Sequence, residues 1–289
     1  MKLRYKEMII GGVFALPIVV GFVLFFAAPF LASLYYCFTK GLGGTEFVGL
    51  ENFIHLIESD SFRLATANTV KFIFISVPVI IMLALILALL LNRKGKDISC
   101  FKTFFILPLV IPVASVILFW NIVFDEYGIL NGILSSFVMW QPIDWLNTGW
   151  SFYILVTLYV WKNCGYNIIL FLAGLNNIPE EYYEAARIDG GGRLICFFKI
   201  TVPFLIPTGF FVFIISIINS FKVFREAYLI AGNYPYFDIY MLQHFMNNNF
   251  QNLNYQRLST AAFLMMIVVF ILVFILFRFE NKISKNLQN

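Results

Sequence analysis

Charge is scarce in this chain: Asp, Glu, Lys and Arg make up 12% of its 289 residues, against 61% for apolar ones. A chain of that composition cannot hide its hydrophobic surface inside one globule, which excludes a soluble domain and reads as an integral membrane protein. Histidine is scarcer still. His55 and His244 fall in predicted loops without a ligand cluster, and Cys37, Cys100, Cys164 and Cys196 show no CxxC spacing, so neither a metal site nor a disulfide framework is expected. No His, Asp, Ser or Cys constellation has nucleophile spacing, which leaves a membrane enzyme nothing to rest on. The acids are absent from the interiors of the apolar runs, where an ion-coupled secondary transporter would need them. No internal repeat is visible by inspection, which weakens the common secondary-transporter plans further. The apolar runs do not alternate, which excludes a transmembrane β-barrel.

What is present is six windows long enough to cross a bilayer as helix, at about 8–32, 72–91, 104–124, 152–173, 203–219 and 261–277. Lys and Arg divide unevenly between the two sides they define. Lys2, Arg4 and Lys6, then Arg93, Lys94, Lys96 and Lys102, then Arg187, Arg193 and Lys199, then Arg278, Lys282 and Lys285 share one side, thirteen of the twenty basic residues. The other side holds Lys40, Arg63, Lys71, Lys222, Arg225 and Arg257, with Lys162 inside a span. By the positive-inside rule both termini are cytoplasmic, and the net charge of +4 follows from this topology without any nucleic-acid partner. The N-terminus also has the outline of a signal peptide, but its apolar stretch is longer than a usual cleaved one and is expected to stay as the first span. Two long outer loops, 33–71 and 220–260, and a shorter one at 125–151 are the surfaces open to an external partner. In the last long loop Ile239, Leu242, Phe245 and Met246 recur at helical spacing, as in a helix lying at the interface or one forming a docking surface.

The inner loop 174–202 carries "PEEYYEAARIDGGGRLICFFKI" from Pro179 to Ile200. Pro179 suits a first helical position, and Glu180 and Glu181 sit where the helix dipole favours negative charge. Gly190 can take the left-handed conformation that ends a helix, after which Gly191 and Gly192 let the chain reverse into a second short helix. A phosphate loop would need a Lys and a hydroxyl after the glycines, and here Arg193 is followed by Leu194 and Ile195. Glu184, Ala185 and Ala186 set small side chains beside one charge, which fits either a plain connector or a surface that another protein approaches closely.

Polar residues inside the spans are the substrate-path candidates. Lys162, Asn163 and Asn167 lie in the fourth, and Ser216 and Asn219 form a polar stripe in the fifth. A mid-membrane Lys disfavours insertion by about 2.5–3.5 kcal/mol unless it meets a partner or water, which marks it as functional. The alternative for each of these residues is a hydrogen bond to a neighbouring helix, with no contact to solute. Trp161 and Tyr166 offer flat apolar faces on which a ring can stack, and Pro78, Pro108, Pro112 and Pro207 can kink their helices.

The stretch "EAARIDGGGRLICFFKITVP" resembles the EAA signature of permeases in binding-protein-dependent ABC importers. The signature falls on Glu184, Ala185, Ala186, Gly190, Ile200 and Pro203, with Val202 in place of a leucine. "FLAGLNNIPEEYYEAARIDG", "FVGLENF", "FFILPLVIP" and "EYGILN" are similar to the carbohydrate-importer branch of maltose and glycerol-3-phosphate type, first permease of a pair. The resemblance implies an all-α type I ABC importer permease of six transmembrane helices, one N-terminal helix plus a five-helix core, in the bacterial cytoplasmic membrane. It implies three regions: 1–65 with the first helix and outer loop, the permease domain 66–281 with the coupling loop 174–202, and a cytoplasmic tail 282–289. It also implies a non-catalytic chain with no cofactor of its own. ATP and Mg would be held by a cytoplasmic ABC ATPase dimer that Glu184, Ala185, Ala186 and Gly190 engage, beside a second permease subunit and an extracytoplasmic solute-binding protein delivering a sugar. A non-sugar solute such as glycerol 3-phosphate is the alternative within the family.

Overall fold

The computed structural model describes residues 2–41, 43–92, 97–137 and 141–288, with side chains at 10–41, 43–92, 103–137 and 141–279. The basic clusters Lys2–Lys6, Arg93–Lys102 and Lys282–Lys285 lie outside the described side chains, as does Cys100.

The chain is helical almost throughout. Its first long helix joins α1 (Lys2–Phe22) to α2 (Ala28–Cys37) through a π-helical turn at Val23–Ala27. A hairpin of β1 (Thr39–Lys40) and antiparallel β2 (Glu46–Phe47), then α3 (Glu51–Glu58), lead into α4 (Asp60–Leu91). Next come α5 (Asp97–Val110), α6 (Val113–Phe124), α7 (Ile129–Phe137) and α8 (Trp150–Asn176). After α9 (Glu180–Ile188), α10 (Arg193–Cys196) runs through a π-helical turn at Phe197–Thr201 into α11 (Val202–Phe221) and α12 (Phe224–Ala231). A 3-10 turn at Phe237–Ile239, α13 (Leu242–Gln251) and α14 (Tyr255–Gln288) follow. Among the described residues six helical segments are long and apolar enough to cross a membrane: Ile10–Cys37, Asp60–Leu91, Val113–Phe137, Trp150–Asn176, Arg193–Ala231 and Tyr255–Phe279.

Three expectations shift. The window at 104–124 is two helices, because Pro112 adopts an extended backbone (ψ 134°) and biases the residue before it away from helix. Conversely, "RLICFFKI" is no separate helix but the first turns of the fifth spanning segment. The π-helical turn there relieves the clash that the Pro203 ring would make with the Lys199 carbonyl in a regular helix. Finally, of the stripe in the last long loop, Ile239, Leu242 and Phe245 are buried in the chain itself and Met246 is half-buried, so these residues serve the chain's own packing.

The chain packs as two units. The first comprises the residues up to Arg63 together with Phe245–Val269. Within it the Asn52 amide donates to the carbonyls of Tyr36 (3.4 Å), Cys37 (3.0 Å) and Thr39 (2.9 Å), satisfying acceptors that the end of α2 leaves open. Tyr36 stacks on Tyr255, Phe53 meets Phe263 edge-on, and the Arg257 guanidinium bonds Ser59 while lying over Phe245.

The second unit, Leu64–His244 with the residues from Phe270 onward, is organised around α8. Its core includes Phe72, set edge-on to Phe152 and Tyr159, with ring centroids 6.3 and 5.5 Å away. Two glycines let other helices reach the α8 backbone. A Cβ at Gly165 would overlap the Phe105 carbonyl of α5, and one at Gly174 would lie 2.6 Å from Thr208 Oγ1 of α11. In the 125–149 loop the Asn131 amide donates to the Glu126 and Ile143 carbonyls, both at 2.8 Å, and its oxygen accepts from Trp145 Nε1 at 3.0 Å.

His244 is fully buried in this unit, accepting from the Met241 amide through Nδ1 (3.2 Å) against the Phe224 ring. Burial lowers its pKa from 6.5 to about 4. The unfolded chain therefore binds a proton near pH 6.5 that the folded chain refuses until about pH 4. Stability is full above the unfolded pKa and falls by roughly 3 kcal/mol as pH drops through that window. Thermal unfolding in detergent should show a midpoint that falls from pH 7 to 4.5 more steeply for the wild type than for His244→Gln; parallel slopes would refute the neutral buried imidazole. Gly165→Ala should lower the midpoint at every pH, because a methyl group forces α5 and α8 apart, and an unchanged midpoint would contradict that packing.

Candidate functional site

The α9 helix begins at Pro179, whose extended backbone (ψ 135°) makes it the cap rather than the first helical residue, with Glu180 and Glu181 in the first turn. Its end is closed by two bonds, Gly191 N–H to the Ala186 carbonyl (2.7 Å) and Gly190 N–H to the Arg187 carbonyl (3.1 Å). This is the Schellman arrangement, and it needs a left-handed residue, which Gly190 supplies at φ +81°. Gly191 is required for another reason: a Cβ there would sit 2.7 Å from the Ala186 carbonyl oxygen. The triple glycine thus closes a helix.

Glu184 and Ala185 lie on the exposed side of α9, with Tyr182 and Ile188. Ala186 turns the other way and packs, with Tyr183, against the core of its own chain, so only one of the two alanines faces outward. Tyr183 also hydrogen-bonds Thr201 across 2.9 Å, tying α9 to the π-helical turn that opens α11.

The five polar span residues separate into two groups. Asn167 and Ser216 are buried and bond each other, Nδ2 to Oγ, at 2.9 Å, while Tyr159 donates to the Ser216 carbonyl at 2.6 Å. These groups hold α8 to α11. Lys162, Asn163 and Asn219 instead line a cavity of about 230 Å³ beside α8, α11 and α12. There Lys162 forms an ion pair with Glu226 of α12, the two side chains being only 14% and 7% exposed.

Sequence reasoning missed Glu226 by assigning it to the 220–260 loop, away from the spans. The available signal was Lys162 itself, since a mid-membrane cation needs a partner, and Glu226 follows closely on the fifth span. Trp161 meets Trp120 with the rings tilted and their centroids 6.2 Å apart, and among the described residues no group of His, Cys, Asp and Glu could hold a metal ion.

Residues 80–285 match the family described as binding-protein-dependent transport system inner membrane component. The chain belongs to this family. The permease is 32% identical over 286 residues to the probable ABC transporter permease protein YesP of Bacillus subtilis, covering 94% of this chain and 91% of that one. It is 34% identical over 236 residues to the arabinooligosaccharides transport system permease protein AraP of the same organism (80% and 75% covered). To the trehalose/maltose transport system permease protein MalF of Thermococcus litoralis it is 31% identical over 239 residues (81% of each). In fold it is similar to a chain in the structure of a bacterial alginate ABC transporter in complex with an alginate pentasaccharide-bound periplasmic protein, with TM-score 0.82, 21% identity, and 99% and 98% covered. The fold is that of type I ABC transporter permeases, and the permease is a multi-pass protein of the cytoplasmic membrane.

Removing one member of a buried ion pair strands the other charge, at a cost of about 3–5 kcal/mol, whereas removing both costs far less. Lys162→Met and Glu226→Gln should each lower the unfolding midpoint in detergent, and the double variant should recover most of the loss. Additive losses in the double variant would show that the two side chains do not interact.

Proposed function

We propose that the chain is a sugar-transporting permease subunit of an ATP-driven, binding-protein-dependent importer, forming half of the translocation path. The carrying observation is the α9 segment: a short helix closed by Gly190 and Gly191, exposed through Glu184 and Ala185, and anchored to its own chain through Tyr183 and Ala186. The distribution of Lys and Arg supports cytoplasmic termini and a cytoplasmic α9. The names of the relatives, which transport arabinooligosaccharides and trehalose or maltose, favour carbohydrate as solute.

In this reading α9 docks on a cytoplasmic ABC ATPase, which holds ATP and Mg, while this chain catalyses no reaction. A second permease subunit completes the path, and an extracytoplasmic binding protein delivers solute. The structural basis for coupling is the attachment of α9 at both ends. It continues from α8 through Asn177–Pro179 and leads through Gly190–Gly192 into the helix that becomes α11. The Tyr183–Thr201 bond and the packing of Ala186 stiffen both joints. A displacement of α9 therefore moves α8 and α11, the two helices that carry Asn163 and Asn219 into the cavity.

Glu184→Lys reverses the charge that α9 presents, and Gly190→Val forces a β-branched residue into the left-handed region, a strain of about 1–3 kcal/mol. Both variants should insert and assemble yet lose ATP-dependent uptake in reconstituted vesicles. Wild-type uptake by both would remove α9 from the coupling role.

A further inference from the structure

The cavity that Lys162 and Asn163 share with the exposed Lys222 and Arg225 belongs to the path described above. A different pocket, of about 480 Å³, lies in the same unit at the start of α8, with roughly 18 Å of helix axis between Trp150 and Lys162. Its lining includes Lys71 of α4, Thr148, then Trp150, Phe152 and Tyr153 in the first turn of α8, and Asp238 of the 3-10 turn. By the distribution of Lys and Arg these residues belong to the side opposite the termini.

The pocket combines two kinds of surface. Trp150 and Tyr153 are 50% and 60% exposed, yet they are held in place. Trp150 stands edge-on to Trp145 with centroids 5.6 Å apart and meets Tyr153 at 5.8 Å, while Trp145 itself is buried and bonded to Asn131. Fixed rings that face solvent offer the flat apolar area that the C–H face of a sugar ring covers. The polar surface is the pair of Lys71 and Asp238, 3.8 Å apart and 49% and 23% exposed, so both groups are open to a solute. That separation exceeds a hydrogen bond and leaves bonding capacity on both. The Phe152 ring fixes the ammonium from its other side, 4.3 Å from ring centroid to Nζ. Thr148 Oγ1 donates to the Asp144 carbonyl at 2.8 Å and can still accept.

This pairing discriminates between ligands. A hydroxyl is donor and acceptor at once, so a single one can accept from Lys71 and donate to Asp238. An anion is repelled by Asp238, a cation by Lys71, and a hydrocarbon strips both of water without replacing their bonds. One basic and one acidic residue among the lining residues cancel in charge, which favours a neutral ligand. An aromatic belt facing lipid would account for the two rings but not for the polar groups that share their pocket. The volume falls within the roughly 300–1,000 Å³ of small-molecule sites.

We propose that this pocket is a second carbohydrate site, which holds a neutral oligosaccharide on the outer face of the chain. A ring stacks on Trp150 and Tyr153, and its hydroxyls bridge Lys71 and Asp238. The inference deepens the permease reading and rests on it for the outward orientation.

The transporter, assembled with its ATPase and second permease, is placed in nanodiscs without the binding protein. Binding of maltotriose and arabinotriose is followed by saturation transfer from aromatic protons to the sugar, which reads stacking on rings. At least one of the two should bind. Trp150→Ala and Lys71→Gln should each weaken that binding by at least about fivefold, whereas Trp150→Tyr and Lys71→Arg should stay within about twofold. Lys71→Gln alters a half-exposed side chain, so it reads the site even where Trp150→Ala disturbs α8. Binding of neither sugar overturns the proposal, and binding of phosphocholine in their place assigns the pocket to lipid headgroups. Sugar binding that ignores both Trp150→Ala and Lys71→Gln overturns it as well, and weakened capture of the binding protein by the same variants would then assign the pocket to protein docking. ATP-dependent uptake by the complete transporter is measured separately. Its absence fails the permease reading, whatever the pocket binds.

Discussion

At Gly165 the α8 backbone runs so close to the Phe105 carbonyl that a methyl group would overlap it, and at Gly174 the Thr208 side chain of α11 approaches almost as near. In a bilayer the hydrophobic effect does not drive helices together, so association depends on close van der Waals packing and on polar groups that satisfy one another. Both devices meet on α8. Its glycines admit α5 and α11, its Asn167 and Tyr159 bond Ser216, and its Lys162 finds Glu226. Because α8 also runs into α9, the helix that packs the second unit is the one that would feel a load applied to the exposed segment.

The sequence motifs prove to be largely architectural. In "FVGLENF" Asn52 collects three carbonyls at the end of α2, in "EYGILN" Asn131 organises the following loop, and "FFILPLVIP" supplies the carbonyl that meets Gly165 and the proline that divides α5 from α6. Apart from the third, which the window at 104–124 carried across the break at Pro112, the spans were legible because apolar length is a local property. So was the role of Gly190, because a left-handed helix stop is set by its own residue. Pairings between segments were not. Nothing local in "KVFREA" says that Glu226 lies against Lys162, and nothing in the repeat of Ile239, Leu242 and Phe245 says which surface covers it. The opposite fates of Asn163 and Asn167 make the same point. They share a face of one helix, yet the first lines a cavity and the second is consumed by Ser216.

Scarcity gives the remaining charges their meaning. A chain with 12% charged residues that still sets Lys162, Lys222, Arg225 and Glu226 around one cavity concentrates its electrostatics where low-dielectric walls strengthen them. The arrangement joins one buried, mutually neutralising pair to two open cations. Packing would be served as well by apolar residues of similar volume.

The central claim is mechanical: α9 and the base of α11 move as one body, held by the bond between Tyr183 and Thr201. It is tested most directly by replacing Tyr183 and Thr201 with Cys, in a chain whose four native cysteines are Ser, and joining the two with a short cleavable thiol cross-linker. The account predicts that the cross-linked transporter imports at the rate of the uncross-linked one. Uptake that stops on cross-linking and returns on cleavage would contradict it.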